Sequence, residues 1–195
     1  MLFRSEETGR PYDSLNLIVA HLGGGTSVGC HRQGKVVDVN NGLEGEGAFT
    51  GERCGGLTAL DVVKATLSGQ WGKTYAEIRH ELCMKSGLVG HTGTNDGREI
   101  SRRIAEGDKQ AELAYRTMAY QVSKEICALA APLQGKVDAI LLTGGFAYDK
   151  MLMGWIEEYV GFLAPVHVYP GEDEMLALSQ GALRVLTGKE TAKVY

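Results

Sequence analysis

At 195 residues, 44% of them hydrophobic and 23% charged, the chain is long enough for one well-filled domain and too short for two comfortable ones. A formal net charge of -4 argues against a nucleic-acid backbone as partner, and no apolar run approaches the length of a membrane span or forms a secretory signal. The 4 cysteines are widely spaced with no CxxC pair, as expected of reduced thiols in a cytoplasmic protein, and the 27 glycines fall in clusters rather than at a fixed period, as in loops built around a ligand.

Residues 1–14 are polar with a Gly-Arg-Pro break and read as a leader segment. Residues 15–25, LNLIVAHLGGG, follow: an apolar run that predicts a buried strand opening into three glycines. Glycines leave no Cβ to hold a ligand away, and their N–H groups can point into an anion site; a tight turn is the alternative. Two short runs, residues 26–31 and 35–40, flank Gln33-Gly34 and predict a hairpin. Residues 40–56 form a long glycine-rich loop, unusual in a compact domain unless it has a task. Thr58 and Asp61 resemble a capping box for a helix whose apolar face is Leu60, Val63 and Leu67, closed by Gly69. Trp71 and residues 75–85 give a second helix carrying Ile78 and Leu82.

A second glycine-rich loop, residues 86–97, leads to a helix starting at Arg98 or Glu99 with Ile100 and Ile104 on one face. A long helix over 108–131 follows, with Leu113, Met118, Val122, Ile126 and Leu129 as its core stripe and Pro132 at its end. The remainder alternates: a strand at 137–142 running into Thr143-Gly144-Gly145, a helix at 148–160, a strand at 165–169 and a helix at 172–186. Three strands with an antiparallel hairpin, then helices, then two strand-helix units predict an α/β domain with a mixed five-stranded sheet and helices packed on it. That is the ribonuclease-H-like (actin-like ATPase) pattern and not a doubly wound Rossmann unit.

Three tempting motifs fail. GQWGKT at 69–74 echoes a phosphate-binding P-loop, but GxxxxGK[ST] requires glycine where Leu67 stands, and the segment follows a helix. No GxGxxG opens a strand-turn-helix unit, and His80 with Cys83 has no second pair to complete a zinc site. What is left is a set of glycine loops, each with polar residues. His21 with Gly23, Gly24 and Gly25 can hold phosphate oxygens, or His21 is a satisfied strand-end histidine. Arg53 offers a planar fork for phosphate or carboxylate, or a surface salt bridge. Asp96 and Arg98 can bind sugar hydroxyls, phosphate or base edges, or Asp96 caps a helix. Thr143, Gly144 and Gly145 end a buried strand, where ligands of open α/β sheets collect. Glu172, Asp173 and Glu174 suit a helix N-terminus, and beside a nucleotide one of them could coordinate Mg2+.

Taken together, HLGGGTSVG, KVVDVNNGLEGEG, ERCGG, GTNDGREI, ILLTGGFAYD and VYPGEDEMLALSQGALRVL resemble the carboxyl-terminal part of the butyrate kinase branch of the acetate kinase family, within the superfamily of acetate and sugar kinases, heat-shock 70 proteins and actin. The resemblance implies reversible phosphoryl transfer between ATP and butyrate or a branched relative, giving ADP and an acyl phosphate, with Mg2+, in the cytoplasm. It implies that His21 and Gly23, Gly24 and Gly25 form the phosphate loop, where acetate kinases read HLGNG. By the same likeness Arg53 contacts the transferring group, Asp96 and Arg98 line the adenosine site, Gly144, Gly145, Phe146 and Ala147 form the adenosine loop, and Asp173 and Glu174 both match the acidic position near the metal. Family members carry an amino-terminal domain ahead of the LNLIVAHLGGG strand. Residues 15–195 are accordingly expected to be the nucleotide-side domain alone, incomplete as a kinase by itself. A separately encoded amino-terminal half or a homo-oligomer is the expected partner, and a non-enzymatic nucleotide-binding or assembly module is the alternative.

Overall fold

The computed structural model describes residues 9–171, 174–189 and 191–192. Three strands open the fold: β1 (Asn16–Leu22), β2 (Thr26–Arg32) and β3 (Lys35–Val39). They are joined antiparallel, and the β2–β3 turn has Gln33 at φ 48° and Gly34 at φ 80°, the paired left-handed geometry of a tight hairpin. Four helices follow: α1 (Ala59–Ser68), α2 (Tyr75–Met84), α3 (Gly87–Thr92) and α4 (Gly97–Ala105). After them come the long α5 (Lys109–Ala128), β4 (Ala139–Gly144), α6 (Lys150–Val160), β5 (Val166–Pro170) and α7 (Glu174–Leu186). The sheet order is β3-β2-β1-β4-β5, with β4 parallel to both β1 and β5. This is the mixed five-stranded sheet expected from the sequence.

Side chains alternate across the sheet and build two unequal cores. Ile18, Ala20, Leu22, Val28, Cys30, Ile140 and Leu142 face a large cluster that takes in Tyr115, Met118 and Val122 of α5 and Leu152, Ile156 and Val160 of α6. On the other face Leu15, Leu17, Ala139 and Leu141 make a small cluster, with Tyr12, Val19 and Tyr169 against it. The segment before β1 is tied down: Arg10 pairs with Asp138 at 2.8 Å, and the Tyr12 hydroxyl hydrogen-bonds His31 Nδ1 at 2.7 Å.

The helices depart from expectation in three places. Leu113 is 67% exposed, and α5 buries Ala111, Tyr115, Met118, Val122 and Ile126 instead. Two residues along a helix is a rotation of roughly 200°, so Leu113 cannot share a face with Ala111 and Tyr115. Thr58 does precede α1, but its side chain makes no cap bond; the reciprocal capping box belongs to Thr74 and Glu77 at the start of α2. The α1 face of Leu60, Val63 and Leu67 is 79%, 51% and 83% exposed, and Ala65 is the buried residue of that helix. The expected loop at 86–97 also contains the short helix α3.

Candidate functional site

Parallel pairing sets the carboxyl ends of β1 and β4 side by side, with His21 opposite Thr143. Gly144 makes this junction possible. Its φ is 96°, and a Cβ there would stand 2.5 Å from Leu22 O, so a side chain would collide with the backbone of the neighbouring strand. Beyond the junction the chain splays into loops that enclose a cleft of about 810 Å3. Gly23 and Gly24 form one wall, residues 95–98 and Ser101 a second, and Gly145, Phe146, Tyr148 and Asp149 a third.

The glycine loop is held by a buried hydroxyl. Thr50, 1% exposed, donates through Oγ1 to Gly24 O at 2.5 Å and accepts from Arg53 N at 3.2 Å. That bracket draws residues 50–53 under the loop and lays the Arg53 side chain along it. A Cβ on Gly24 would be 3.3 Å from Arg53 Nη1, and one on Gly25 would be 3.3 Å from Arg53 Nε. Arg53 Nη1 also donates to Glu52 Oε2 at 3.2 Å, while its Nε is buried with no hydrogen-bond partner among the described residues. Glu52 Oε1 in turn accepts from Asn95 Nδ2 at 2.7 Å, joining the arginine loop to the start of α4.

Asp96 caps α4 by accepting from Arg98 N at 2.9 Å, and the Arg98 guanidinium folds back on both carboxylate oxygens at 3.0 and 2.8 Å. The hydrogen bonds from the Arg98 side chain, with that backbone bond, hold the Asp96 carboxyl down at about 2. On the third wall, Asp149 Oδ1 caps α6 through Met151 N and Leu152 N at 2.9 and 3.1 Å. Asp149 Oδ2 accepts from Ser101 Oγ and, at 3.2 Å, from the Tyr115 hydroxyl. Burial, and then the Asp149 charge, push the Tyr115 hydroxyl up, so it stays a donor at neutral pH.

Of the residues singled out in the sequence, Gly23, Gly24, Asp96, Arg98, Gly145 and Phe146 line this one cleft. Arg53 and Gly25 lie directly behind Gly24, and a Cβ on Gly25 would be 2.7 Å from Gly42 O. Gly144 and Ala147 are buried behind the third wall, and His21 is half-buried at the end of β1, on the sheet face opposite Leu22. Asp173 lies outside the described residues, and nothing is described of the Glu174 side chain beyond its place at the start of α7. Among the described residues no three His, Cys, Asp or Glu side chains cluster as a metal site, and no helix is long and apolar enough to cross a membrane. All four cysteines are free thiols. Sequence reasoning missed Thr50, Glu52, Asn95, Ser101, Tyr148 and Asp149. Asp149 carried a usable signal, an aspartate immediately ahead of a helical run.

Residues 4–153 match the model of the acetokinase family. The chain belongs to the acetokinase family. It is 50% identical over 191 residues to butyrate kinase 2 of Clostridium acetobutylicum, a match covering 98% of this chain and 53% of that protein. A probable butyrate kinase of Clostridium botulinum (strain Eklund 17B / Type B) is also 50% identical, over 190 residues, with 97% and 53% covered. This acetokinase-family chain thus spans about half the length of the curated relatives it matches. Among solved structures it superposes on Porphyromonas gingivalis acetate kinase with TM-score 0.82 at 25% identity, covering 93% of this chain and 52% of the other. A propionate kinase from Francisella tularensis subsp. tularensis SCHU S4 gives TM-score 0.77 at 25% identity, covering 90% and 50%. The fold is the actin-like ATPase fold expected from the succession of strands and helices along the chain.

Proposed function

We propose that the cleft binds ATP or ADP and that the chain is the nucleotide-side domain, residues 15–195, of a butyrate kinase-type phosphotransferase, transferring a phosphoryl group reversibly between ATP and a short-chain carboxylate. The observation that carries this is the convergence of Gly23 and Gly24, backed by Arg53, with Asp96, Arg98, Gly145 and Phe146 around a single cleft. Phe146, with the flat glycine backbones of residues 97 and 145, suits a base and ribose, and the Gly23–Gly25 end, with Arg53 and His21, suits the phosphates. Localisation in the cytoplasm, where ATP is made available, is part of the proposal, as is association with a partner half or a second copy that completes the carboxylate site.

The chemistry asks little of a base. A carboxylate is already ionised near neutral pH and can attack the γ-phosphorus in line, so the protein's task is alignment and charge stabilisation. Loop N–H groups, the Arg53 guanidinium and the His21 imidazole would take up charge on the transferring oxygens. Magnesium would accompany the polyphosphate, with Asp173 and Glu174 proposed as the acidic residues near it; Glu52, Asp96 and Asp149 are each engaged by protein donors, so none of them is offered as its ligand.

A chimera in which this chain replaces the matching part of the Clostridium acetobutylicum relative tests the proposal. With ATP, Mg2+ and butyrate it is expected to form acyl phosphate, trapped as the hydroxamate, and to lose that activity on Arg53→Ala. A folded chimera that binds ADP and forms no acyl phosphate would contradict phosphotransfer and leave a nucleotide-binding module.

A further inference from the structure

We propose that Glu52 is a built-in counter-ion that holds Arg53 beside the glycine loop and surrenders it to the incoming phosphates, so that it sets affinity for the phosphate part of the ligand; this rests on the nucleotide reading above. A fixed carboxylate at an anion site is otherwise out of place. Glu52 Oε2 would be 3.5 Å from a Cβ on Gly24 and Arg53 Nη1 3.3 Å from it, so both charges lie against the same stretch of backbone. Their contact is a single bond at 3.2 Å, with the Glu52 and Arg53 side chains 25% and 16% exposed. A guanidinium is satisfied far better by a bidentate anion than by one such bond, and Arg53 Nε waits buried without a partner among the described residues.

The rest of the loop does not need this ion pair. Thr50 N donates to Arg53 O at 3.1 Å and Arg53 N to Thr50 Oγ1 at 3.2 Å, so the backbone that carries the guanidinium is fixed independently. The other Glu52 oxygen keeps its bond from Asn95 Nδ2 at 2.7 Å when Arg53 is released, which leaves Asp96 and the α4 cap in place. Glu52 is therefore a positioning residue whose charge competes with the ligand. Its removal relieves a like-charge repulsion in a half-buried site and strengthens binding of anions there.

Glu52→Gln keeps an acceptor for Asn95, removes the charge and turns the oxygen that faces Arg53 into an amide donor. Calorimetric titration of the full chain with adenosine, ATP and inorganic pyrophosphate, with thermal unfolding as a folding check, separates the possibilities. The expected result is ATP and pyrophosphate binding about tenfold tighter in Glu52→Gln, a fold-change equivalent to one like charge removed at effective protein dielectric, with adenosine changed less than about twofold. Glu52→Ala is expected to tighten pyrophosphate similarly while weakening adenosine, because Asn95 then loses its acceptor. Unchanged or weaker pyrophosphate and ATP binding in a folded Glu52→Gln protein would overturn the inference. A wild-type chain that takes pyrophosphate but neither adenosine nor ATP would refute the nucleotide reading while leaving the exchange of Glu52 for an anion standing. A wild-type chain that takes none of the three would overturn both.

Discussion

Gly144→Ala is the substitution that most sharply tests how the cleft is assembled. Gly144 sits at φ 96°, and the new Cβ would meet Leu22 O at 2.5 Å and Leu22 C and N at 2.7 Å. Holding alanine in that backbone region costs about 1–3 kcal/mol. The contact is backbone on backbone, so the ends of β1 and β4 must move apart, an overpacking cost of another 1–3 kcal/mol or so. A total of about 4 kcal/mol, at roughly 2–4 °C per kcal/mol for a chain of this size, lowers Tm by about 8–16 °C. Gly145→Ala is the matched control: no atom lies within 4 Å of its Cβ position, so Tm should stay within about 2 °C while the methyl group enters the cleft. Thermal unfolding by circular dichroism reads both variants. A Gly144→Ala protein that melts within about 2 °C of the wild type would refute the claim that the Leu22–Gly144 junction has no room for a side chain.

Thr50→Val leaves Gly24 O and Arg53 N without their buried partner; unfolding in urea should show a loss of about 1–3 kcal/mol, with weaker ATP binding as Arg53 loosens. The Asp96 carboxyl is held down at about 2 in the folded protein, below its ordinary unfolded value near 3.9, so its contribution is complete above pH of about 4 and is lost as pH falls through about 2. Asp96→Asn should therefore flatten that part of the acid-stability curve, and Arg98→Ala should raise the Asp96 titration seen by carbon NMR toward the ordinary carboxylate range. Leu67→Lys, on the exposed α1 face, should change stability by less than about 0.5 kcal/mol, whereas Leu142→Ala in the sheet core should cost about 2–5 kcal/mol by the same urea titration.

The signals legible in the sequence were local ones. Apolar runs ending in glycines marked β1 and β4, and the Gln33-Gly34 turn marked the β2–β3 hairpin, because backbone geometry is written in adjacent residues. At Asp96 and Arg53 the structure shows the non-ligand alternative at work: Asp96 caps a helix, and Arg53 makes a salt bridge, though with its side chain only 16% exposed, while the two stand at and behind the cleft. Contacts between distant segments carry no such signal. Asn95 reaches Glu52 across 43 positions and Ser101 reaches Asp149 across 48, and no spacing rule could pair them. Leu113 misled for another reason. Hydrophobicity favours a leucine as a core residue, but the buried face of α5 is the one that carries Ala111, Tyr115, Met118, Ala119, Val122 and Ile126, and Leu113 lies off it.

Nitrogen-15-labelled chain titrated with ADP tests the central claim most directly, because each wall of the cleft carries backbone amides that report binding on their own. The account predicts shifts at Gly23, Gly24, Asp96, Arg98 and Gly145, and none at Gln70 or Trp71 around the separate cavity of about 570 Å3 beside α1. Shifts confined to the α1 cavity, or none anywhere in a folded chain at millimolar ADP, would contradict it.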